Sequence, residues 1–288
     1  MIIIRNYKKL IYILFDYNIL IVNDKLSDFF NKDGLIFIMC SWYKTSKVKK
    51  IVDCNKDYKI VILANSLEEQ IYFRNSLNCD VLFCNHNAFI NENKFNIIED
   101  TVKIYDLVID SAFHNYKNVN IANKIDNTVH IGYFKKDRVE ISIPKYGLLA
   151  NSIKNGEYQH LCKETINNIY NQSLIGGIFS EKEGACFASS QYLLSGLPVI
   201  SINSVGGRDI WYNKDNSIIC QNNEDSVCNT IDIIKKKIHN GEFNNKKIRE
   251  NHLKQMDEHR NTIINYINEY FNEYTCNSND IKKQFAFF

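Results

Sequence analysis

The sequence lacks the features of nucleic-acid-binding, membrane-spanning and secreted proteins. The formal net charge is only +2 and no run of basic residues is longer than three, so nothing in the composition favours a nucleic-acid partner. The apolar stretch at residues 10–22 is interrupted by Asp16 and Asn18, whereas a membrane-spanning helix needs about 20 apolar residues. No small-residue cleavage site follows this stretch, so it is predicted to be a buried strand or helix.

Paired cysteines and the short motifs of several enzyme classes are missing as well. The nine cysteines include no Cys-x-x-Cys pair, which favours reduced core thiols in a cytoplasmic protein over disulfides or a zinc site. Cys84 and His86 are close in sequence but have no partners at the spacing of metal ligands. There is no GxSxG segment and no P-loop, which argues against the hydrolases and nucleoside triphosphatases that use them.

What the sequence does contain is a regular alternation of apolar, β-branched runs with segments of helical period. The strand-like runs are residues 35–40, 59–65, 80–85, 104–112, 128–134, 174–180, 198–202 and 217–221, and the helical segments are roughly 66–77, 115–125, 161–172, 185–195 and 224–239. Ser66 followed by Glu69 is a capping-box signature for the first of these helices. Near-continuously apolar strands between helices predict parallel sheets covered on both faces.

The 288 residues are enough for two domains with their own cores. The most polar connector is residues 91–103, so we predict an N-terminal domain over residues 1–98 and a C-terminal domain over 99–274. The second domain ends in one long amphipathic helix, and a short tail, 275–288, follows it.

The segment "SEKEGACFASSQYLLSGLPVIS", Ser180–Ser201, holds the best candidates for chemistry. Ligands of doubly wound sheets bind at the carboxyl ends of the strands, and Glu183 follows such a strand. A helix that begins near Gly184 would offer free amides and a positive dipole end to an anion. Glu183 could then hold sugar hydroxyls, or it could simply cap the helix. Gln191 would share a face with Glu183 only if that helix starts early.

This segment resembles the donor-binding segment of GT-B glycosyltransferases, in particular those like glycosyltransferase family four. In that pattern a Ser and a short spacer precede Glu-Gly. A second Glu follows seven residues later, and then come a small residue, Gly-x-Pro-Val-Ile and a Gly-Gly loop. Residues 180–207 follow the same order. A weaker similarity, to compact bacterial and large-virus glycosyltransferases, runs over about residues 60–225, and no resemblance covers the first 55 residues.

The resemblance implies a fold and a set of roles. The fold would be α/β, with two Rossmann-like parallel-sheet domains facing a cleft, a reduced N-terminal domain and a long C-terminal helix. Glu183 would hold donor-sugar hydroxyls and take part in catalysis. The amides of Gly184 and Ala185 would hold sugar or phosphate, and Gln191 would hold the nucleotide ribose. The Gly-Gly loop of the donor site would be Gly206–Gly207.

Two departures from the pattern concern charge. Gln191 stands where the family has its second Glu, which exchanges a charge-assisted hydrogen bond for a neutral one, a difference on the order of 1 kcal/mol. The family also places an Arg and, five residues later, a Lys against the donor diphosphate, and these positions hold Ala112 and Lys117 here. Arg208 is the nearest candidate to replace the missing Arg, unless it pairs with Asp209 or another surface acid. Lys117 could instead be a solvated helix residue.

The N-terminal half is expected to supply the acceptor side. His86, between Asn85 and Asn87, follows a predicted strand and could face the cleft. An unperturbed histidine pKa near 6.5 suits proton transfer or a hydrogen bond to a sugar hydroxyl, which makes His86 a catalytic candidate. The alternative is a structural role in a turn.

Three further residues are candidates without a settled role. Asp16 and Asp110 lie near strand ends, where either could act as the general base of an inverting enzyme. His114 is close in sequence to Lys117, and either contacts phosphate or faces solvent.

These residues predict a metal-independent glycosyltransferase that moves a hexosyl or pentosyl group from a nucleotide-diphosphate sugar to an acceptor hydroxyl of a glycan or glycoconjugate. No Asp-x-Asp pair follows an early strand, as a metal-dependent transferase of the other common fold would require, so no cofactor is expected. Peripheral contact with a membrane stays open. A degenerate GT-B module that binds without turnover is the main alternative. A sugar-nucleotide epimerase is a third possibility, although it would need further carboxylates that the sequence does not identify.

Overall fold

Two β-sheets carry the two halves of the chain. The computed structural model describes residues 2–6, 9–16, 30, 33–133, 143–154 and 157–271. The N-terminal sheet has the order β1-β2-β3-β4-β5, with β1 antiparallel to β2 and the remaining strands parallel. Its elements are β1 (Ile2–Asn6), β2 (Lys9–Phe15), β3 (Leu35–Met39), α1 (Lys47–Cys54), β4 (Lys59–Ala64), α2 (Leu67–Ser76) and β5 (Asp80–Phe83).

The C-terminal sheet is parallel throughout, with the order β15-β13-β11-β6-β7-β8. Its half of the chain contains β6 (Tyr105–Ala112), β7 (Thr128–Tyr133), β8 (Leu148–Leu149), β9 (Ile153–Lys154), β10 (Glu157–Tyr158), α3 (Lys163–Asn171), β11 (Ser173–Ile178), β12 (Lys182–Glu183), α4 (Phe187–Leu194), β13 (Val199–Ile202), β14 (Val205–Gly206), β15 (Ser217–Cys220), α5 (Glu224–His239) and α6 (Asn245–Phe271). The order places β6 and β11 side by side at the centre. Their carboxyl ends, where Asp110 and Ser180 lie, therefore adjoin each other.

The apolar runs form buried strands because helices cover both faces of each sheet. All five residues of β3 are buried, as expected for a strand without a solvent face. One face of the N-terminal sheet packs on α1 and α2 through Val48, Ile51 and Phe73. The other face packs on Ile263 and its neighbours in α6. The prediction of parallel sheets with helices on both faces is confirmed.

The long C-terminal helix joins the two halves. Near its start, Ile248 and Met256 belong to the core of the C-terminal half, whereas Ile263 and Ile267 belong to the core of the N-terminal half. Arg260, buried in this helix, donates to the Ala88 carbonyl over 2.6 Å and pairs with the Glu92 carboxylate. Helix α6 therefore packs on both sheets, rather than on the C-terminal one alone.

The helices predicted at 224–239, 161–172 and 66–77 match α5, α3 and α2, whereas the helix predicted at 115–125 and the helix start predicted near Gly184 are wrong. Ser66 caps α2 by accepting from the Glu69 amide over 3.1 Å. The predicted helix 115–125 is instead two short 3-10 helices, Asn115–Lys117 and Val119–Ala122, which meet at Asn118 in the left-handed region (φ 50°). Helix α4 begins at Phe187, three residues after Gly184, because residues 182–183 are drawn into a strand pair with β14.

Two predicted segments lie partly or wholly outside the described residues. Strand β2 confirms a buried strand for the first part of the apolar stretch 10–22, and residues 17–22 lie outside the described residues. The predicted tail, 275–288, also lies outside them. The predicted domain boundary after residue 98 falls between β5 and β6 and stays a prediction.

Candidate functional site

A cavity of about 480 Å³ lies between the two halves of the molecule. The last residue of β2 and the loops after β3 and β5 form one wall, and the carboxyl ends of β6 and β11 with their following segments form the other. The N-terminal wall consists of Phe15, Ser41, Trp42 and His86, and the polar groups of the C-terminal wall include Asp110, Lys117, Glu183 and Gln191. We call these the N-terminal wall and the C-terminal wall. The cavity is where the sequence predicted a site at strand ends.

Glu183 is a buried carboxylate held by two side chains. It lies in β12, which pairs with β14 through Gly206, so its backbone is extended and precedes α4. Its Oε1 accepts a hydrogen bond from Ser180 Oγ over 2.6 Å and forms an ion pair with Lys117. The residue that caps α4 is Cys186, with no side-chain hydrogen bond to the helix. The alternative role of Glu183 as a helix cap is therefore wrong.

Lys117 lies opposite Glu183, at the end of the first 3-10 helix after β6. Burial, the largest single influence, lowers its pKa, but Glu183 together with Cys186 and Tyr116 raises it by more, so the pKa lies above its usual value. Lys117 is therefore a cation at neutral pH. The pair presents one positive and one negative group to the cavity, because both residues line it.

Arg208 is fully buried and contacts the protein rather than the cavity. Its Nη1 donates to the Ser180 carbonyl over 2.5 Å, its Nε pairs with Asp209 over 2.6 Å, and its Nη2 donates to the Ile202 carbonyl. The fixed fork of the guanidinium thus joins the loop after β11 to the loop after β13. These contacts favour the alternative interpretation, in which Arg208 is a structural partner of Asp209. They also hold in place Ser180, the residue that donates to Glu183.

The Gly206–Gly207 loop packs against the N-terminal half. Gly206 has φ 110°, and a Cβ there would lie 1.8 Å from the Glu183 carbonyl oxygen. A Cβ on Gly207 would lie 2.4 Å from Cβ of Asn65. Only glycine fits at these two positions, the first for its backbone conformation and the second for the close approach of the two halves. Neither glycine lines the cavity, so their role as donor ligands stays a prediction.

Asn85 and Asn87 form hydrogen bonds across the two halves. Asn85 Nδ2 donates to the Gly207 carbonyl over 2.8 Å. Asn87 Nδ2 donates to the carbonyls of Ala185 and Cys186, each over 2.9 Å. Both side chains are fully buried, so the side-chain amides of the loop after β5 bind the backbone of the opposite half.

His86 lies in this loop as a buried, neutral ring. Burial lowers its pKa to about 3, against a smaller opposing effect of the Cys40 backbone. Phe15 and Phe187 flank it, with ring centroids at 5.2 and 5.1 Å. A ring with so low a pKa is a weak base at neutral pH, so the environment of His86 favours packing or hydrogen bonding over proton transfer. Its assignment as a catalytic residue stays a prediction.

Asp110 takes part in a buried hydrogen-bond chain that sequence reasoning missed. Its Oδ2 accepts from the hydroxyl of Tyr170 over 2.5 Å, and the same hydroxyl lies 3.1 Å from Oε1 of Gln191. Burial raises the pKa of Asp110 to about 6, partly offset by Tyr170 and Lys117. Tyr170 belongs to α3, where its helical spacing is that of an ordinary core residue. Gln191 reaches the same cavity as Glu183 although α4 starts late.

The remaining candidates occupy different surroundings. Asp16 is buried behind the N-terminal wall and accepts from the Ser41 amide over 3.3 Å. Ala112 and Ala185 line the cavity, as does Gly184, whose Cβ would lie 3.1 Å from the Ser41 carbonyl oxygen. His114 stacks on Tyr116 with ring centroids 5.7 Å apart and does not line the cavity.

Two features are absent from the described ranges. No group of three or more His, Cys, Asp or Glu side chains within them is placed to hold a metal ion. No helix within them is both long and apolar enough to cross a membrane.

No protein-family model and no curated protein matches the sequence, but solved structures match the fold. Sucrose-phosphate synthase from Thermosynechococcus elongatus aligns with a TM-score of 0.65 at 13% identity, over 92% of this chain and 74% of that one. TarM gives a TM-score of 0.63 at 12% identity, over 90% of this chain and 54% of that one. Anabaena HepE in complex with UDP-glucose gives 0.59 at 10% identity, over 86% and 74%.

The chain therefore spans about half the length of TarM. At these identities the similarity establishes the fold. The architecture is the GT-B fold of glycosyltransferases, as the sequence predicted.

Proposed function

We propose that the protein is a glycosyltransferase that moves a sugar from a nucleotide-diphosphate sugar to an acceptor hydroxyl without a metal cofactor. The observation that carries this proposal is the buried Lys117–Glu183 pair, which lines a cavity between the two halves of a GT-B fold. The two groups have the opposite charges that the two ends of the donor require. The diphosphate binds a cation, and sugar hydroxyls donate hydrogen bonds to a carboxylate.

The donor binds the C-terminal wall. Lys117 contacts the diphosphate and neutralises the charge that develops on the leaving group, because electrostatic stabilisation of a departing anion is the main task in such a site. Glu183 holds hydroxyls of the transferred sugar, and the amides of Gly184 and Ala185 contact sugar or phosphate. HepE was solved with UDP-glucose bound, which supports a nucleotide sugar as the donor class.

The acceptor enters from the N-terminal wall. Trp42 is 38% exposed there and meets the ring of Tyr116 across the cleft, with centroids 5.7 Å apart. An exposed aromatic face is a usual platform for the apolar face of a sugar ring. The acceptor is a carbohydrate or glycoconjugate hydroxyl, and its general base is open between Asp16 and Asp110. The transferred group is a hexose or a pentose.

A second candidate function is a GT-B module that binds nucleotide or glycan without turnover. Ala112 replaces the phosphate-binding Arg of family four, and the guanidinium of Arg208 is already paired within the protein. If Lys117 is the only side chain that reaches the diphosphate, the leaving group is held without being activated. Measured sugar transfer separates the two candidates.

The test is a panel of nucleotide sugars scored first for thermal stabilisation and then for transfer to simple glycan acceptors. A ligand at about 100 times its Kd adds roughly 2.7 kcal/mol to the free energy of unfolding, so true ligands stand out. Each titration is run with EDTA and with magnesium or manganese. Binding and transfer in EDTA are the expected result. Binding that appears only with metal overturns the metal-independent proposal, and binding without any transfer favours the module.

A further inference from the structure

Tyr170 has one hydroxyl hydrogen and two oxygen neighbours. The hydroxyl oxygen lies 2.5 Å from Oδ2 of Asp110 and 3.1 Å from the amide atom of Gln191 assigned as Oε1. A bond to an ionised carboxylate is shorter and about twice as strong as a neutral one. The hydroxyl hydrogen of Tyr170 is therefore donated to Asp110, and the phenol oxygen remains an acceptor for a hydrogen bond from Gln191.

This assignment decides how the amide of Gln191 is oriented. An amide oxygen facing the phenol oxygen would bring two acceptors together with no hydrogen between them, whereas an amide nitrogen facing it would donate a hydrogen bond. The two ends of an amide have nearly the same shape, so hydrogen bonding fixes which end points where. Gln191 then donates to Tyr170, and its carbonyl oxygen is the free end.

We propose that Asp110 and Tyr170 are positioning residues that turn the amide of Gln191 so that its oxygen faces the cavity as the acceptor for a ribose hydroxyl of the donor nucleotide. This rests on the proposed function, in which Gln191 contacts the ribose. The chain thereby keeps an acceptor at a position where the family pattern has a carboxylate. The negative charge is that of Asp110 on β6 and not of a residue on α4, and Tyr170 connects Asp110 to Gln191.

The three groups are placed for this task. Tyr170 is fully buried and its ring is held edge-on against Tyr192, with centroids 4.8 Å apart. Asp110 is fixed in turn, because its backbone amide donates to the Tyr192 hydroxyl over 2.7 Å. Asp110 and Gln191 both line the cavity. The raised pKa of Asp110, about 6, still leaves it ionised at neutral pH.

The experiment compares UDP with 2′,3′-dideoxy-UDP and scores the ratio of the two Kd values, which cancels changes in phosphate or base binding. The wild type is expected to prefer UDP by about threefold to tenfold, the value of one neutral hydrogen bond. In Asp110→Asn the new amide donates to Tyr170, which then donates to Gln191 and turns the amide nitrogen toward the ligand. That variant loses most of the preference, and so does Tyr170→Phe.

A double variant tests the direction of the chain. In Asp110→Asn with Gln191→Glu, Tyr170 donates to the new carboxylate, and since both carboxylate oxygens are acceptors the preference that Asp110→Asn loses is restored. Tyr266→Phe is the matched control, because it removes a hydroxyl that donates to another aspartate, Asp80, over 2.6 Å at a place that does not line the cavity, and it keeps the preference. Melting temperatures confirm that each variant is folded.

The outcomes distinguish this inference from the function on which it rests. An unchanged preference in Asp110→Asn, or no recovery in the double variant, overturns the positioning role while sugar transfer by the wild type stands. Equal binding of UDP and the dideoxy compound by the wild type overturns the ribose contact itself. If the wild type binds neither UDP nor GDP, the inference and the proposed function fall together.

Discussion

The two walls of the cavity differ in how they use polar groups. The C-terminal wall presents ionised groups, the Lys117–Glu183 pair and Asp110. The N-terminal wall presents a neutral histidine and aromatic rings, and Asn85 and Asn87, in the loop that carries His86, bind the backbone of the opposite half. Charge is therefore concentrated where a donor phosphate and sugar would lie. The N-terminal side supplies shape and holds the donor segment in place.

This division predicts that variants on the two walls fail in different ways. A change in the C-terminal wall should lower ligand binding or transfer, and restoring the stability of the variant should not restore either. A change in the N-terminal wall should lower stability, with only a modest effect on the chemistry of each folded molecule. The following variants test this, in order of decreasing expected effect on transfer.

Lys117→Met should have the largest effect. It removes the cation proposed for the diphosphate and leaves Glu183 buried without its partner, and breaking a buried pair costs about 3–5 kcal/mol. Nucleoside-diphosphate binding and sugar transfer should both fall by more than about a hundredfold, since a charged contact at the leaving group acts in the transition state. The measurements are a nucleotide titration, a transfer rate and a melting curve.

The double variant Lys117→Met with Glu183→Gln is the control for this prediction. It removes both charges, so the melting temperature should recover most of its loss while binding and transfer stay low. Recovery of transfer together with stability would show that Lys117 only neutralises Glu183 and does not bind phosphate.

Glu183→Gln alone should be the next largest. The substitution keeps the size and one acceptor, and the bare nucleoside diphosphate does not touch this group in the proposed arrangement. Nucleotide affinity should hardly change. Transfer should fall about tenfold to a hundredfold, the equivalent of roughly 1.5–3 kcal/mol for a hydrogen bond to a charged group. Melting temperature and transfer are measured on the same preparation, and an unstable but fully active variant would contradict the sugar-binding role.

The sequence predicted the C-terminal wall better than the N-terminal one. Glu183, Gln191 and Lys117 follow a fixed order along the chain, so a pattern of neighbours in sequence was enough to single them out. The strands could be predicted because buried parallel strands are continuous apolar runs. Strands such as β12 and β14, of two residues each, are too short to show a hydrophobic period and could not be predicted from one.

The rest depended on contacts between segments far apart in the chain. Tyr170 is spaced like a core residue of α3, and only the folded structure brings it to Asp110, 60 residues away in sequence. The late start of α4 follows from the pairing of Glu183 with Gly206, which no local propensity encodes. The pKa of His86 was taken at its unperturbed value because burial cannot be read from the residues beside it.

Asn87→Ala tests the N-terminal wall and should affect transfer less than Glu183→Gln. It leaves the carbonyls of Ala185 and Cys186 without their donor, at a cost of about 1–3 kcal/mol for buried groups left unpaired. The melting temperature should fall by several degrees, and transfer per folded molecule should fall less than about tenfold. Asn93→Ala, at an exposed turn, is the control. Abolished transfer with an unchanged melting temperature would instead make Asn87 a substrate ligand.

His86→Phe should have the smallest effect on transfer. The ring is neutral and flanked by Phe15 and Phe187, so phenylalanine preserves the packing and transfer at pH 7.5 should stay within about threefold of the wild type.

The pH dependence of the stability of His86→Phe is the sharper measurement. Burial holds the pKa of His86 near 3 in the folded protein, against about 6.5 in an unfolded chain. As the pH falls below about 6.5 the unfolded state gains a proton that the folded state does not take up, so stability present above that pH is lost. By pH 5 this group alone should cost about 2 kcal/mol. The variant should therefore lose less of its melting temperature between pH 7.5 and pH 5 than the wild type does. A large loss of transfer at pH 7.5 with an unchanged acid response would return His86 to the chemistry and break the contrast between the two walls.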